Sequence, residues 1–402
     1  MVLDFELSEE QKAIMKAAEE FAVKETTPEL LDKVWKEGYI PWDVLKKAGE
    51  LGFICPHWKE EHGGAGLDRM SAALVSYVFA RVGGPPMPAN FAQDIPYYYG
   101  PDWMKEEICV KVARGEVVHC GMFTEPAGGS DLGVTRYLDT KAVLDGNEWV
   151  INGTKTFITS APLARYGAVL CQTDPKAVPP YRGLTWIEVD MKTPGIEVTP
   201  LPEVGWPQSP FGQVTFDNVR VPKENTIGEI NRGFYLGMEF LNEARATIGL
   251  VSCGAARGIL DLTIKYVKER KVFGRPISDY NHVRFTIADL LCKVEAAELL
   301  CLKVLWMCQK GGEKVFGRDE MRRYSSMAKL LGSEVLVETA NKCIRFFGGY
   351  GFTTDQPITR RWLASLANVI VEGVSDLHRD GIARTIFGPY EFEKMLMARA
   401  RS

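Results

Sequence analysis

The sequence has no paired-cysteine motif, no apolar run long enough to span a membrane and no excess of positive charge. Its nine cysteines are scattered, with no CxxC pair and no histidine at zinc spacing. That argues against a disulfide framework or a metal centre, and leaves free, buried thiols in a reducing cytoplasm as the expectation. No stretch approaches the ~18 consecutive apolar residues a transmembrane helix needs, so no membrane insertion is expected. Lys and Arg total 48 against 52 Asp and Glu, a net charge of −4. No basic stripe is present, which excludes nucleic acid as the expected partner. The opening residues, MVLDFELSEEQ, are acidic and lack an apolar centre. Neither a secretory signal nor an Arg-rich transit peptide has that texture, so a cytoplasmic location is expected.

What is present reads as α, then β, then α. A chain of 402 residues exceeds one ordinary core, so two or three domains are expected. Ser8 with Gln11 makes a capping-box pattern, and Ile14, Met15, Ala18, Phe21 and Ala22 follow on one helical face. Further helices are expected from Pro41 to Gly52, Met70 to Val82 and Trp103 to Arg114. From Val117 the texture turns strand-like: Val117–Phe123, Thr140–Leu144, Trp149–Ile151, Ala168–Gln172, Leu184–Val189 and Gln213–Val221. Asp145-Gly146 and Asn152-Gly153 read as hairpin signals, so the block is expected to be a small antiparallel β domain. From Phe234 the helical period returns in segments 234–270, 281–310, 318–347 and 357–387, which fit a four-helix bundle. The expected class is α+β, with an N-terminal helical domain (1–117), a middle β domain (118–225) and a C-terminal bundle (226–402).

Four segments carry polar chemistry. Thr124-Glu125-Pro126-Ala127-Gly128-Gly129-Ser130-Asp131 follows a β run. It offers backbone N–H groups and short polar side chains to a ligand, and equally reads as a capped turn. In Asn152 to Ser160, Phe157 and Thr159 fall on one side of an extended strand, an aromatic and a hydroxyl suited to a flat ring. Glu269 to Pro276 closes a long helix with cations, and Arg270 can either complement the helix dipole or clamp a diphosphate. Finally, Glu372 follows Val369, Ile370 and Val371. A carboxylate buried there would have a raised pKa and serve as a base near neutrality; exposed, it would merely end a helix.

Together these segments resemble the acyl-CoA dehydrogenase family. The resemblance runs from Leu7-Ser8-Glu9-Glu10-Gln11 to about Phe387, through TEPAGGSD at 124–131, NGTKTFIT at 152–159, ERKVFGRPI at 269–277, FFGGYGF at 346–352 and VEG at 371–373. It implies the same α–β–α architecture, a homotetramer, FAD as cofactor, an acyl-CoA substrate and an electron-transferring flavoprotein as partner. By the family pattern Thr124 and Thr159 hydrogen-bond the isoalloxazine, and Phe157, where Trp is usual, covers its face. Arg270, Phe273, Arg345, Gly348 and Gly349 line the rest of the cofactor, Arg270 on the pyrophosphate of a neighbouring subunit. Ser130 contacts the CoA phosphopantetheine, Arg245 matches an Arg that supports the active site, and Gly373 joins them in binding substrate. Glu372 stands where the base is usual; the other position used in the family is Ala244, and Glu243 beside it should face elsewhere. The implied reaction is removal of the α-proton by Glu372 with transfer of the β-hydride to flavin.

The chain departs from the family at Val272, Asn281, Arg345, Val374 and Asp376, positions that bear on FAD contacts. The acyl-pocket floor, Gly84 to Tyr99, is short and broken by prolines, which suits a bulky, branched, cyclic or aromatic acyl group. Within it Asn90, Gln93 and Asp94 could meet a polar substituent. Rival readings are an oxygen-using flavoenzyme on the same fold, a non-catalytic flavin-free subunit, and an enoyl-CoA reductase using the same groups in reverse.

Overall fold

The computed structural model describes residues 6–388 and 390, and the chain gathers into two compact units. One takes the chain up to Glu37, Leu67–Pro86 and Asn242–Ile386; the other takes Gly38–Gly66 and Met87–Leu241.

The first unit is helical. Its opening helix, Glu9–Glu25, begins as the capping box requires: Ser8 Oγ accepts from the Gln11 N–H and Gln11 Oε1 from the Ser8 N–H, both at 3.1 Å. Ala18, Phe21 and Ala22 are buried, and Phe21 meets Phe79 with ring centroids 6.0 Å apart. Phe79 lies on helix Arg69–Val82, which Asp68 caps by accepting from the Met70 and Ser71 N–H groups. Gly83 then turns left-handed at φ 88°, and the prolines beyond it prevent continuation.

Long helices Gly233–Glu269, Asn281–Gln309 and Arg318–Cys343 follow. The first is long and apolar enough to cross a membrane because such a window tolerates scattered polar residues, yet 56% of its most apolar stretch is buried in the protein, as in a bundle core. Tyr77 and Arg257 both donate to Glu298, tying Arg69–Val82 to two of these helices. The fourth expected helix, 357–387, is two: Pro357–Asn368 and Ser375–Phe387, with Glu372 in the break. A helix Pro28–Glu37 was not read from the sequence.

The second unit is built on an eight-stranded sheet: β1 (Val118–Met122), β2 (Lys141–Asp145), β3 (Glu148–Thr159), β4 (Ala164–Gln172), β5 (Leu184–Asp190), β6 (Ile196–Leu201), β7 (Phe211–Pro222) and β8 (Thr226–Ile227). The order is β6-β7-β3-β2-β4-β5-β8, with β1 beside β4. Two expectations are corrected. The sheet is mixed, because β4 pairs parallel with β1 and, at Lys141 and Gln172, with β2. Asn152-Gly153 is not a hairpin turn but lies within β3, since β7 pairs with β3 on both sides of it. The register slips there, and Gly153 sits at φ 143°, where a Cβ would press into Thr140. Asp145-Gly146 does join β2 to β3. One apolar cluster contains Trp149, Ile151, Val189 and Val214; another contains Trp58, Ile95, Met104, Phe123 and Trp186. All nine cysteines are free, most of them buried.

Candidate active site

In the sheet unit, the 124–131 loop and strand β3 are joined by a buried ion pair. Glu125 Oε1 accepts from Lys155 Nζ at 3.1 Å and from the Thr140 N–H at 2.9 Å; Oε2 accepts from the Asp139 N–H at 2.8 Å. Lys155 Nζ also donates to the Phe123 carbonyl, and the Thr156 N–H to the Thr124 carbonyl at 2.9 Å. Both charged side chains are fully buried. Burial opposes the ionised form of each. At Glu125 the nearby ammonium and backbone N–H groups overcome it and hold the carboxyl below its usual range; at Lys155 burial prevails and lowers the ammonium. The pair fixes Thr124 against β3, three residues before Thr159 at the Thr156 contact.

Phe157 and Thr159 both lie on β3, at a bulge. The register slips between Lys155 and Ile158, and Phe157 takes φ 56°. Its ring is 64% exposed, Ile158 beneath is buried, and Thr159 is half-buried. A non-glycine residue in that backbone region is a local cost that concentrates at functional sites. Neither Thr124 nor Thr159 spends its hydroxyl on a hydrogen bond to another described residue. Segment 89–91 runs alongside: Ser160 Oγ donates to the Ala89 carbonyl at 2.8 Å, and the His119 N–H donates to Asn90 Oδ1 at 2.8 Å. Ser130 is exposed on the loop. Asp94 is not a free polar group. Its carboxylate bonds His57 Nε2 at 3.0 Å and accepts from Trp58 Nε1 at 2.7 Å.

In the helical unit, Glu372 occupies the break before helix Ser375–Phe387 with φ 55°, followed by Gly373 at φ 106°. Two cations bond the carbonyls of this turn. Arg245 Nε lies 3.4 Å from the Glu372 oxygen, and Lys329 Nζ donates to the Gly373 oxygen at 2.7 Å. The residue is half-buried, but carboxylate oxygen Oε2 is closed to solvent and has no hydrogen-bond partner. Burial lifts the carboxyl to about 7, against the downward pull of Arg245 and Lys329. Burial likewise lowers Lys329 to about 8 and Arg245 to about 10. His378, on the following helix, is lowered to about 3 by burial and then by the same two cations, so its ring is neutral. Glu243 instead pairs with Arg69.

A third group lies at the far end of helix Gly233–Glu269. Arg270 opens a two-strand turn, Lys271–Val272 with Arg275–Pro276, whose tip Phe273 is 95% exposed at φ 49°. Tyr266 stacks on Phe347 at 4.1 Å, and His282 meets Phe346 edge-on, which brings the 344–352 loop to the same end of the bundle. Arg345, Gly348 and Gly349 on that loop are exposed. A Cβ at either glycine would meet nothing within 4 Å, and Gly348 adopts φ 56°. Among the described residues neither Arg270 nor Arg345 forms an ion pair. Two uncommitted guanidinium groups beside bare backbone suit a diphosphate, and two uncommitted hydroxyls beside an exposed ring suit a flat heterocycle; the residues fit FAD.

Comparison with known proteins agrees. Descriptions of the acyl-CoA dehydrogenase N-terminal, middle and C-terminal domains match residues 8–116, 120–219 and 231–387. The chain belongs to the acyl-CoA dehydrogenase family. It is an FAD-dependent oxidoreductase acting on CH–CH groups. Over 378 residues it is 33% identical to the caffeyl-CoA reductase-Etf complex subunit CarC of Acetobacterium woodii, covering 92% of this chain and 97% of that protein. The 3-(aryl)acrylate reductase of Clostridium sporogenes is 30% identical over 385 residues, covering 94% and 99%. The solved glutaryl-coenzyme A dehydrogenase with glutaryl-CoA superposes with a TM-score of 0.88 at 30% identity, covering 96% of this chain and 97% of that one.

The sequence reading missed Lys329, His378 and the Glu125–Lys155 pair. For Lys329 a signal existed: Ser325, Ser326, Lys329, Gly332, Ser333 and Leu336 share one buried helical stripe, where a lysine is out of place.

Proposed function

We propose that this acyl-CoA dehydrogenase acts at Cα–Cβ of an aromatic or otherwise bulky acyl-CoA, with Glu372 as the base. The observation that carries the reading is a carboxylate oxygen closed to solvent and unpartnered; burial lifts the carboxyl to about 7 against the pull of Arg245 and Lys329. Such a group takes a proton without first surrendering a hydrogen bond. The Glu372 N–H has no carbonyl partner among the described residues, so it is free to donate to the thioester oxygen as negative charge develops there. Bound FAD supplies the two-electron acceptor. Thr124 and Thr159 would hold its ring, Phe157 would cover it, and Arg270, Phe273, Arg345, Gly348 and Gly349 would meet its diphosphate and adenosine portions, Arg270 from a neighbouring copy of a homotetramer. Ser130 would meet the pantetheine arm, while Arg245 and Gly373 shape the base turn.

The acyl preference rests on aromatic rings beside Thr124. Phe91 approaches both Phe123 and Phe240 with centroids 6.1 Å apart, and Phe91 and Phe240 remain half-buried. Asp94 takes a supporting part, since His57 and Trp58 already engage it.

A second reading, reduction of an aryl-enoyl-CoA, draws on the same carboxyl. Near pH 7 it is present in both protonation states, and two relatives are named as reductases of aryl or caffeyl substrates. Electron exchange with an electron-transferring flavoprotein is supported by the name of one relative, an Etf complex subunit. The cytoplasm is the proposed location. Anaerobic flavin bleaching by butyryl-, octanoyl- and 3-phenylpropionyl-CoA tests the preference. The aryl thioester should bleach fastest; equal rates for all three would refute it.

A further inference from the structure

We infer that Lys329 is a positioning residue for the base, gripping the Gly373 carbonyl so that the Glu372 turn stays left-handed, and sharing with Arg245 the counter-charge of the Glu372 carboxylate. The inference rests on the reading of Glu372 as the base.

Lys329 sits in the interior of helix Arg318–Cys343 with no exposed surface. Its hydrogen bond goes to the Gly373 oxygen, 44 residues away at 2.7 Å, and no described carboxylate forms an ion pair with it. A buried ammonium held by one carbonyl loses several kcal/mol of hydration, so the site must return something for it. Two returns are visible. Glu372 at φ 55° is a conformation an L residue resists, and a carbonyl anchored on the next residue holds it there. The ammonium also offsets part of the cost of ionising a closed-off carboxylate.

The other groups around the turn do not duplicate this. Arg245, from helix Gly233–Glu269, shares the counter-charge and pulls harder on the Glu372 carboxyl, but it reaches the Glu372 oxygen only at 3.4 Å, so the short grip on the turn belongs to Lys329. His378, from Ser375–Phe387, also lies against the Glu372 and Gly373 backbone, but its ring is neutral and supplies no charge. Asn368 and Ser252 bond one another and carry no charge. Arg322, two turns earlier on the Lys329 helix, acts on Arg245, and Glu334 acts on Lys329 only at longer range. Lys329 therefore keeps hold of the turn whether the carboxyl is charged or has taken a proton, while its charge favours the ionised, proton-accepting form.

Infrared titration of the holoenzyme follows the protonated Glu372 carboxyl without any substrate, the band being assigned by its loss in Glu372→Gln. In Lys329→Met and Lys329→Gln the midpoint should move to higher pH by about one unit, and Lys329→Arg should restore it to near the wild-type value. Bleaching by 3-phenylpropionyl-CoA at about pH 6 should slow roughly tenfold in the neutral variants, as expected from a base with fewer ionised molecules. An unmoved midpoint in a folded, yellow neutral variant overturns the inference. So does unfolding of both neutral variants with Lys329→Arg intact, because a purely structural lysine would then suffice. Continued bleaching of Glu372→Gln would sink the base assignment instead, leaving the infrared midpoint to be read independently.

Discussion

Replacing the base should stabilise the protein, and only above mildly acidic pH. Glu372 has an ordinary carboxyl value of 4.5 that the fold raises to about 7. The folded state therefore binds the proton more tightly than the unfolded chain. Stability linked to this group is fully present below about pH 4.5 and drains away as pH rises through about 7. At about 1.4 kcal/mol per pH unit the ceiling is about 3 kcal/mol; half-burial of the residue lets solvent relax around the charge, so about 1–2 kcal/mol is the working figure. Glutamine keeps the shape and never ionises. Glu372→Gln and wild-type holoenzyme should thus unfold at nearly the same urea concentration at about pH 4, whereas near pH 7.5 the variant should need more. The comparison stays below pH 8 because Lys329, lowered to about 8, begins to lose its own proton there. Parallel curves for the two proteins across the whole range would refute a desolvated carboxyl at 372. The variant should also be inactive, a trade of stability for function at one residue.

The pH–rate profile should depend on direction. Flavin bleaching by a saturated acyl-CoA should rise with pH to a plateau with a midpoint near 7, and enoyl-CoA reduction should fall through the same midpoint, as a shared base and acid requires; stopped-flow absorbance at several pH values checks both. Lys155→Met should leave buried Glu125 with only the more distant Arg136, 3.4 Å away, and cost roughly 3 kcal/mol, read by urea unfolding, with loss of yellow colour as the Thr124 loop detaches. Arg270→Ala should weaken FAD retention at least tenfold on dilution, while the bleaching rate of the fraction still holding flavin changes little; unaltered occupancy would remove Arg270 from the cofactor.

Much of this protein could be read along one dimension. The Ser8–Gln11 cap, the Asp145-Gly146 turn and the long apolar helices are local patterns, and local patterns decide where elements begin and end. The motif segments at 124–131, 152–159, 269–277, 346–352 and 371–373 likewise pointed to the family before any coordinates. Asn152-Gly153 went the other way: an apparent turn signal was carried straight through the sheet because β7 pairs on both of its sides. Edge strand β6 escaped because its pattern, IEVTPL, is half-exposed and polar.

What only the tertiary structure decided is the electrostatics. Nothing near Glu372 in the chain says that Lys329 and Arg245 bond the carbonyls of its turn, that His378 is neutral, or that one carboxylate oxygen is sealed from water. Periodicity follows from backbone geometry within a few residues. A raised pKa follows from which distant side chains exclude solvent and which supply charge, and helices dozens of residues apart settle that only when they pack.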